Sequence, residues 1–145
     1  MITQASQTTR RRSTRAPKIT INASDLAHIE ALAEGAIPRN PALADRLLDE
    51  LGRARILAAG KMPKTVIGIG STATYKDEHS GQERRVTLVY PEHADITLNR
   101  ISLMTPIGVA LLGLSEGARF HWETRDNQRR LLSVIRVEQP EAATE

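Results

Sequence analysis

The sequence predicts an α+β chain: an antiparallel helical hairpin, then a compact antiparallel β domain carrying one short helix. Three observations predict it. Two apolar stripes at helical spacing lie between residues 24 and 59, separated by Gly35-Ala36-Ile37-Pro38-Arg39. From Val66 onward, runs rich in Val, Ile, Thr and Tyr alternate with turn residues. Thr105-Pro106 then opens a short helical stretch that Gly113 stops.

The elements follow in order. Residues 1–17 are mostly Ser, Thr, Gln and Arg, with almost nothing to bury, and are expected to be disordered. Lys18-Ile19-Thr20-Ile21 alternates polar and apolar, as a short extended segment does. Asn22 can cap the first helix, with Ile21 and Leu26 at the two positions of a hydrophobic staple. Leu26, Ile29 and Ala33 carry that helix from about Ser24 to Glu34. Asn40 caps the second helix, and Pro41 sits at the first helical position, which tolerates it. Leu43, Leu47, Leu51, Ala54 and Ala58 form its stripe, so the helix is expected over about 41–59, with Gly60 and Pro63 ending it. On its wet face Arg46/Glu50 and Asp49/Arg53 are spaced as i,i+4 pairs.

In the second half, Val66–Gly70 and Ser71–Tyr75 read as strand with a bend at Gly70. His79–Gln82 reads as a turn, Arg84–Tyr90 as a strand and Ile101–Leu103 as a short extended piece. Ala118–Thr124 alternates Phe120 and Trp122 against Arg119, His121 and Glu123. Asp126–Gln128 turns the chain into a last strand, Leu131–Glu138, with Leu132, Val134 and Ile135 as inward candidates. The expected divisions are a basic tail at 1–18, a hairpin at 19–62, a β domain at 63–138 and a frayed end at 139–145.

Charge is unevenly placed. The chain has 20 basic and 17 acidic residues, a formal charge of +3. Arg10, Arg11, Arg12, Arg15 and Lys18 supply five of the bases within the first 18 residues, where no acid occurs. The remainder holds 15 bases against 17 acids and is near neutral. The basic arm is therefore the candidate for nonspecific nucleic-acid contact, and a solubilising role fits it equally. The four aromatic residues, Tyr75, Tyr90, Phe120 and Trp122, are too few for a base-stacking platform.

Catalytic signals are weak. With no cysteine there is no disulfide, thiolate metal site or cysteine nucleophile. His28, His79, His93 and His121 each lack a second ligand within their own segments, so no metal site is expected. Gly68-Ile69-Gly70 is followed by β-rich sequence, without the helix that would cradle a pyrophosphate. No nucleophile elbow or phosphate loop occurs. Neither a catalytic residue nor a cofactor is assigned, and the chain is expected not to be an enzyme. No apolar run approaches the ~18 residues of a membrane span, and the polar N-terminus lacks a secretory apolar stretch. A cytoplasmic location is expected, with no membrane contact.

The stretch from Ile101 through Thr105-Pro106-Ile107 and Leu111-Leu112-Gly113 to Gly117 resembles the C-terminal domain of the Gre transcript cleavage factors. Val86–Pro91 and Phe120–Glu123 are similar to the Rnk family within that superfamily. The resemblance covers roughly Ile19 to Glu138. It implies an FKBP-like β domain, a short coiled-coil hairpin, and RNA polymerase as partner, with the hairpin directed at the secondary channel. In the cleavage factors, acidic residues at the hairpin tip help bind the catalytic magnesium. Here the tip loop, Gly35–Asn40, carries no acid and one cation. The resemblance therefore implies polymerase binding and regulation of elongation without stimulated RNA cleavage, and, from the family name, an indirect effect on nucleoside diphosphate kinase. The candidate partner contacts are Ile37, Pro38 and Arg39 at the tip and Thr105, Pro106 and Ile107 in the β domain. With so few aromatic residues, a prolyl-isomerase pocket is not expected.

Overall fold

A computed structural model of the chain describes residues 18–123 and 129–140. The basic residues Arg10, Arg11, Arg12 and Arg15, the turn at Asp126–Gln128 and the last five residues lie outside the described residues. The described residues form strand β1 (Thr20–Asn22), helix α1 (Ala23–Ala36), helix α2 (Pro41–Gly52) and strand β2 (Arg55–Leu57). Strands β3 (Thr72–Asp77), β4 (Glu83–Val89) and β5 (Arg100–Ser102) follow, then helix α3 (Pro106–Leu111). Strands β6 (Arg119–Glu123) and β7 (Arg129–Glu138) end the fold.

The helix starts are those the caps predict. Asn22 Oδ1 accepts from Ser24 N, and Asn40 Oδ1 accepts from Leu43 N, with Pro41 at the first helical position. Helix α1 runs two residues past its expected end, through Gly35 to a buried Ala36. Helix α2 is shorter than expected. It stops at Gly52 rather than near residue 59, because Arg55-Ile56-Leu57 leaves the helix to pair in parallel with Thr20-Ile21-Asn22. Its wet face is tied by Arg53, which bonds Glu50 Oε1 one turn back at 2.5 Å.

The five-stranded sheet has the order β5-β4-β3-β7-β6. It is mixed. The β3–β4, β3–β7 and β6–β7 pairings are antiparallel, while β4–β5 is parallel. Two 3-10 turns, at Pro91–His93 and Ile96–Leu98, carry the chain back for that parallel pairing. The strand expected to start at Val66 begins at Thr72. Gly70 lies in the left-handed region at φ 94°, so the chain enters β3 through a turn. The inward assignments of Leu132 and Val134 hold, but Ile135 is 46 % exposed. Pairing passes from Thr74↔Arg136 to Tyr75↔Val134, so Ile135 is the extra residue of a β-bulge. The bulge shifts the alternation by one, which turns Val137 inward.

One core joins hairpin and sheet. Ile21, Ile29, Leu43 and Leu47 from the hairpin segment belong to the same buried cluster as Ile67, Leu88, Leu103, Leu111 and Val134. Backbone bonds close the seam: Thr20 N donates to Gly113 O at 3.0 Å, and Gly113 N donates to Ile67 O at 2.8 Å. Helix α2 lies against α3.

Candidate functional site

The tip of the hairpin is a four-residue loop. Ile37 N donates to Glu34 O, and Arg39 N and Asn40 N both donate to Ala36 O. Those bonds satisfy the orphan carbonyls at the end of α1. Ile37, Pro38 and Arg39 are all exposed, Ile37 by 43 %, so the tip presents an apolar residue, a rigid ring and a cation. Glu34 is exposed beside it. At about 1.5 Å per residue, α1 and α2 are about 21 Å and 18 Å long. The hairpin is thus shorter than the ~29 Å that the expected second helix would have given.

Thr105, Pro106 and Ile107 occupy the first turn of α3, and each has a different surrounding. Thr105 Oγ1 accepts from Gly108 N at 3.1 Å and donates to Ser102 O at 2.8 Å, so its hydroxyl is used in capping. Pro106 is exposed at the first helical position. Ile107 is half-buried, packs on the core and lines a cavity of about 580 Å³ on the inner face of the sheet. Among the described residues no hydrogen bond or ion pair links the hairpin tip to this turn. The two candidate surfaces are held relative to each other by the packing of α2 on α3.

Sequence reasoning missed a second point of attachment. Tyr90, just beyond β4, stacks on His28 of α1 with ring centroids 4.0 Å apart and planes 14° apart. Its hydroxyl donates to Asp25 Oδ1 at 3.3 Å. Burial, and then the Asp25 carboxylate, push the Tyr90 phenol up to about 12. These partners are more than 60 positions apart, so no local pattern could show them.

The cavity was also invisible in the sequence. Tyr75, Arg84, Arg130 and Asp77 approach its mouth, with Val86 and Leu132 in its wall. Arg130 Nη1 bonds Asp77 Oδ2 at 2.7 Å and holds that carboxyl below its ordinary value. Tyr75 is the one aromatic side chain among the described lining residues. Among the described residues no group of three or more His, Asp or Glu side chains could hold a metal ion. No described helix is long and apolar enough to cross a membrane. Lys18 is exposed at the edge of the described region.

Comparison with known proteins gives this arrangement its class. Residues 62–139 match the model for the C-terminal domain of transcription elongation factors GreA/GreB, which covers β3 to β7 and α3. The chain is 30 % identical over 90 residues to the transcription elongation factor GreA of Azorhizobium caulinodans, 62 % of this chain and 53 % of that protein. It is similar to a solved transcription elongation factor GreA/GreB from Nitrosomonas europaea, with TM-score 0.68 and 33 % identity, over 84 % of this chain and 98 % of that one. The hairpin narrows the class. Residues 17–57 match the model of the Rnk N-terminus. The regulator of nucleoside diphosphate kinase from Escherichia coli K12 is 37 % identical over 128 residues, 88 % of this chain and 94 % of that protein. The chain belongs to the Rnk family of the Gre superfamily.

Proposed function

We propose that this chain is a non-enzymatic regulator of transcription elongation that binds RNA polymerase and occupies the secondary-channel region without stimulating RNA cleavage. Family membership supports the coarse reading, a regulator of the transcription elongation factor type. The hairpin tip carries the finer one. Ile37, Pro38 and Arg39 project no carboxylate, and Glu34 alone flanks them. A second magnesium beside a phosphodiester needs oxygen ligands that leave little net repulsion with the metal, usually more than one carboxylate. A tip with one flanking acid and one cation does not supply them.

In this reading the β domain docks on the polymerase, with Thr105, Pro106 and Ile107 near the contact. The short hairpin then stands at the channel mouth and excludes longer-hairpin factors by occupancy. Any change in nucleoside diphosphate kinase is an indirect consequence at the level of expression. The test is a binding and competition assay with purified polymerase. Saturable binding at micromolar concentration or tighter, displacement of a cleavage factor and no shortening of transcripts in backtracked complexes are expected. Absence of binding defeats the proposal, and transcript shortening defeats the non-cleaving mechanism.

A further inference from the structure

The cavity on the inner face of the sheet follows from a mismatch of lengths. Helix α3 has six residues and covers about 9 Å of the sheet. Strands β4 and β7 have seven and ten residues, about 23 Å and 33 Å. One end of the inner face is left open. Side chains of alternate strand residues share a face, so the composition of that face can be followed outward along each strand. On β4 it runs from buried Leu88 to buried Val86 to exposed Arg84. On β7 it runs from buried Val134 to buried Leu132 to half-exposed Arg130. On β3 Tyr75 is followed by Asp77. The surface therefore grades from core, through an apolar wall, to a mouth with two guanidiniums and one carboxylate.

The charges at the mouth are unequal. Asp77 is engaged by Arg130. Arg130 Nε is buried with no hydrogen-bond partner among the described residues. Arg84 lies opposite Tyr75 in the strand register, and neither the guanidinium nor the phenol has a hydrogen-bond partner among the described residues. Among the described lining residues, Arg84, Arg130 and Asp77 together leave one positive charge in excess. Ile96, 81 % exposed, stands on the rim, an apolar side chain that a bound molecule would cover. A volume near 580 Å³ is that of a small-molecule site, with apolar walls for burial and a few polar groups for orientation.

We propose that this cavity binds a small monoanionic ligand, a carboxylate on an apolar body. The apolar part lies along Val86, Leu132 and Ile107, and the carboxylate accepts from Arg84 and the Tyr75 hydroxyl. A single carboxylate balances the excess charge, whereas a phosphate monoester carries about −1.5 to −2 at neutral pH and overshoots it. The site shares Ile107 with the proposed docking turn, but its test reads ligand binding to the chain alone, so its failure leaves that reading untouched.

The test titrates the full chain by amide NMR with 4-phenylbutyrate, 4-phenylbutanol, 4-phenylbutylamine and 4-phenylbutyl phosphate. The carboxylate is expected to saturate at a dissociation constant of about 1 mM or tighter, with shifts at the Val86, Ile107 and Leu132 amides. The alcohol binds about tenfold more weakly and the amine not at all, because the charge-assisted bond is lost. Arg84→Gln weakens the carboxylate about tenfold with the rest of the spectrum unchanged, since Arg84 is exposed and unpaired among the described residues. Arg84→Lys recovers part of that loss. No saturable shift up to 10 mM, equal binding of acid and alcohol, or an Arg84→Gln chain with unchanged affinity each overturns the proposal. Tighter binding of the phosphate overturns the assignment to a carboxylate.

Discussion

Gly113 shows how a single residue ties the two halves of this chain together. Its φ is 82°, and a Cβ added there would stand 2.7 Å from Ile19 Cβ and 3.1 Å from Thr20 O. The left-handed backbone alone costs an L-residue roughly 1–2 kcal/mol, and forced overpacking adds about 1–3 kcal/mol. Gly113→Ala is therefore expected to lower stability by about 2–5 kcal/mol, read as a lower urea midpoint at unchanged slope. The Thr-Pro-Ile and Leu-Leu-Gly residues that carry the family resemblance thus owe much of their pattern to folding: Thr105 caps, Leu111 and Leu112 are buried, and Gly113 lets β1 approach. Tyr90 works at the same scale. Its folded phenol titrates near 12 against an ordinary value near 10. A raised folded value means that the stability it contributes is fully present below pH 10 and is lost as pH rises toward 12. Burial raises Tyr75 as well, with the same sign. Tyr90→Phe should flatten, without abolishing, the fall in urea stability between pH 9.5 and 12. A slope unchanged by the substitution would show that the Tyr90 phenol is not held in this buried, Asp25-facing position in solution.

At the scale of elements, starts were legible, as was the glycine stop of α3 at Gly113, but the end of α2 was not. A cap is a local bond, so Asn22, Asn40 and Thr105 announced three helix starts correctly. The end of α2 was decided elsewhere. Leu51, Ala54 and Ala58 keep helical spacing, yet Arg55-Ile56-Leu57 pairs with residues 35 positions earlier. Sheet order is likewise non-local. The placement of β7 between β3 and β6, the parallel β4–β5 pair and the bulge at Ile135 leave no signature in the sequence. Of the candidate site, the exposed tip was readable because Pro38 and Asn40 mark a break. The cavity was not, because its lining is assembled from four strands and a helix. The β3–β4 hairpin provides a test of its own. Asp77 Oδ1 accepts from the His79 and Ser80 amides, and Oδ2 pairs with Arg130. Arg130 first, then the turn amides, depress the Asp77 carboxyl below its ordinary value near 3.8. The sign is opposite to that of the tyrosines: the contribution is present above pH 4 and lost as pH falls through the folded value. Asp77→Asn should therefore lower stability at pH 7 and narrow the difference between pH 7 and pH 3. An acid limb identical to that of the parent chain would remove Asp77 from the account.

The whole molecule is stabilised by burial that neither half can achieve alone. Helices of 14 and 12 residues are near or below the length at which an isolated helix holds together in water. Their apolar faces are covered because Ile29, Leu43 and Leu47 enter a cluster shared with Ile67, Leu111 and Leu114. The sheet in turn exposes that side of its core if the hairpin leaves. Hairpin and sheet should consequently unfold as one unit, although the family models divide the chain between residues 57 and 62. Leu47 is fully buried, and Leu47→Ala should cost about 2–5 kcal/mol. Because the core is common, the substitution should lower the urea midpoint read from the helical signal at 222 nm and from the β3 and β7 amide cross-peaks by the same amount. Two separated midpoints, with the strand signals unmoved, would mean that the hairpin folds as a separate appendage. In the proposed complex its direction would then be set by the docking partner. A single shared midpoint leaves that direction to the chain itself, through the contacts of Tyr90 with α1 and of α2 with α3.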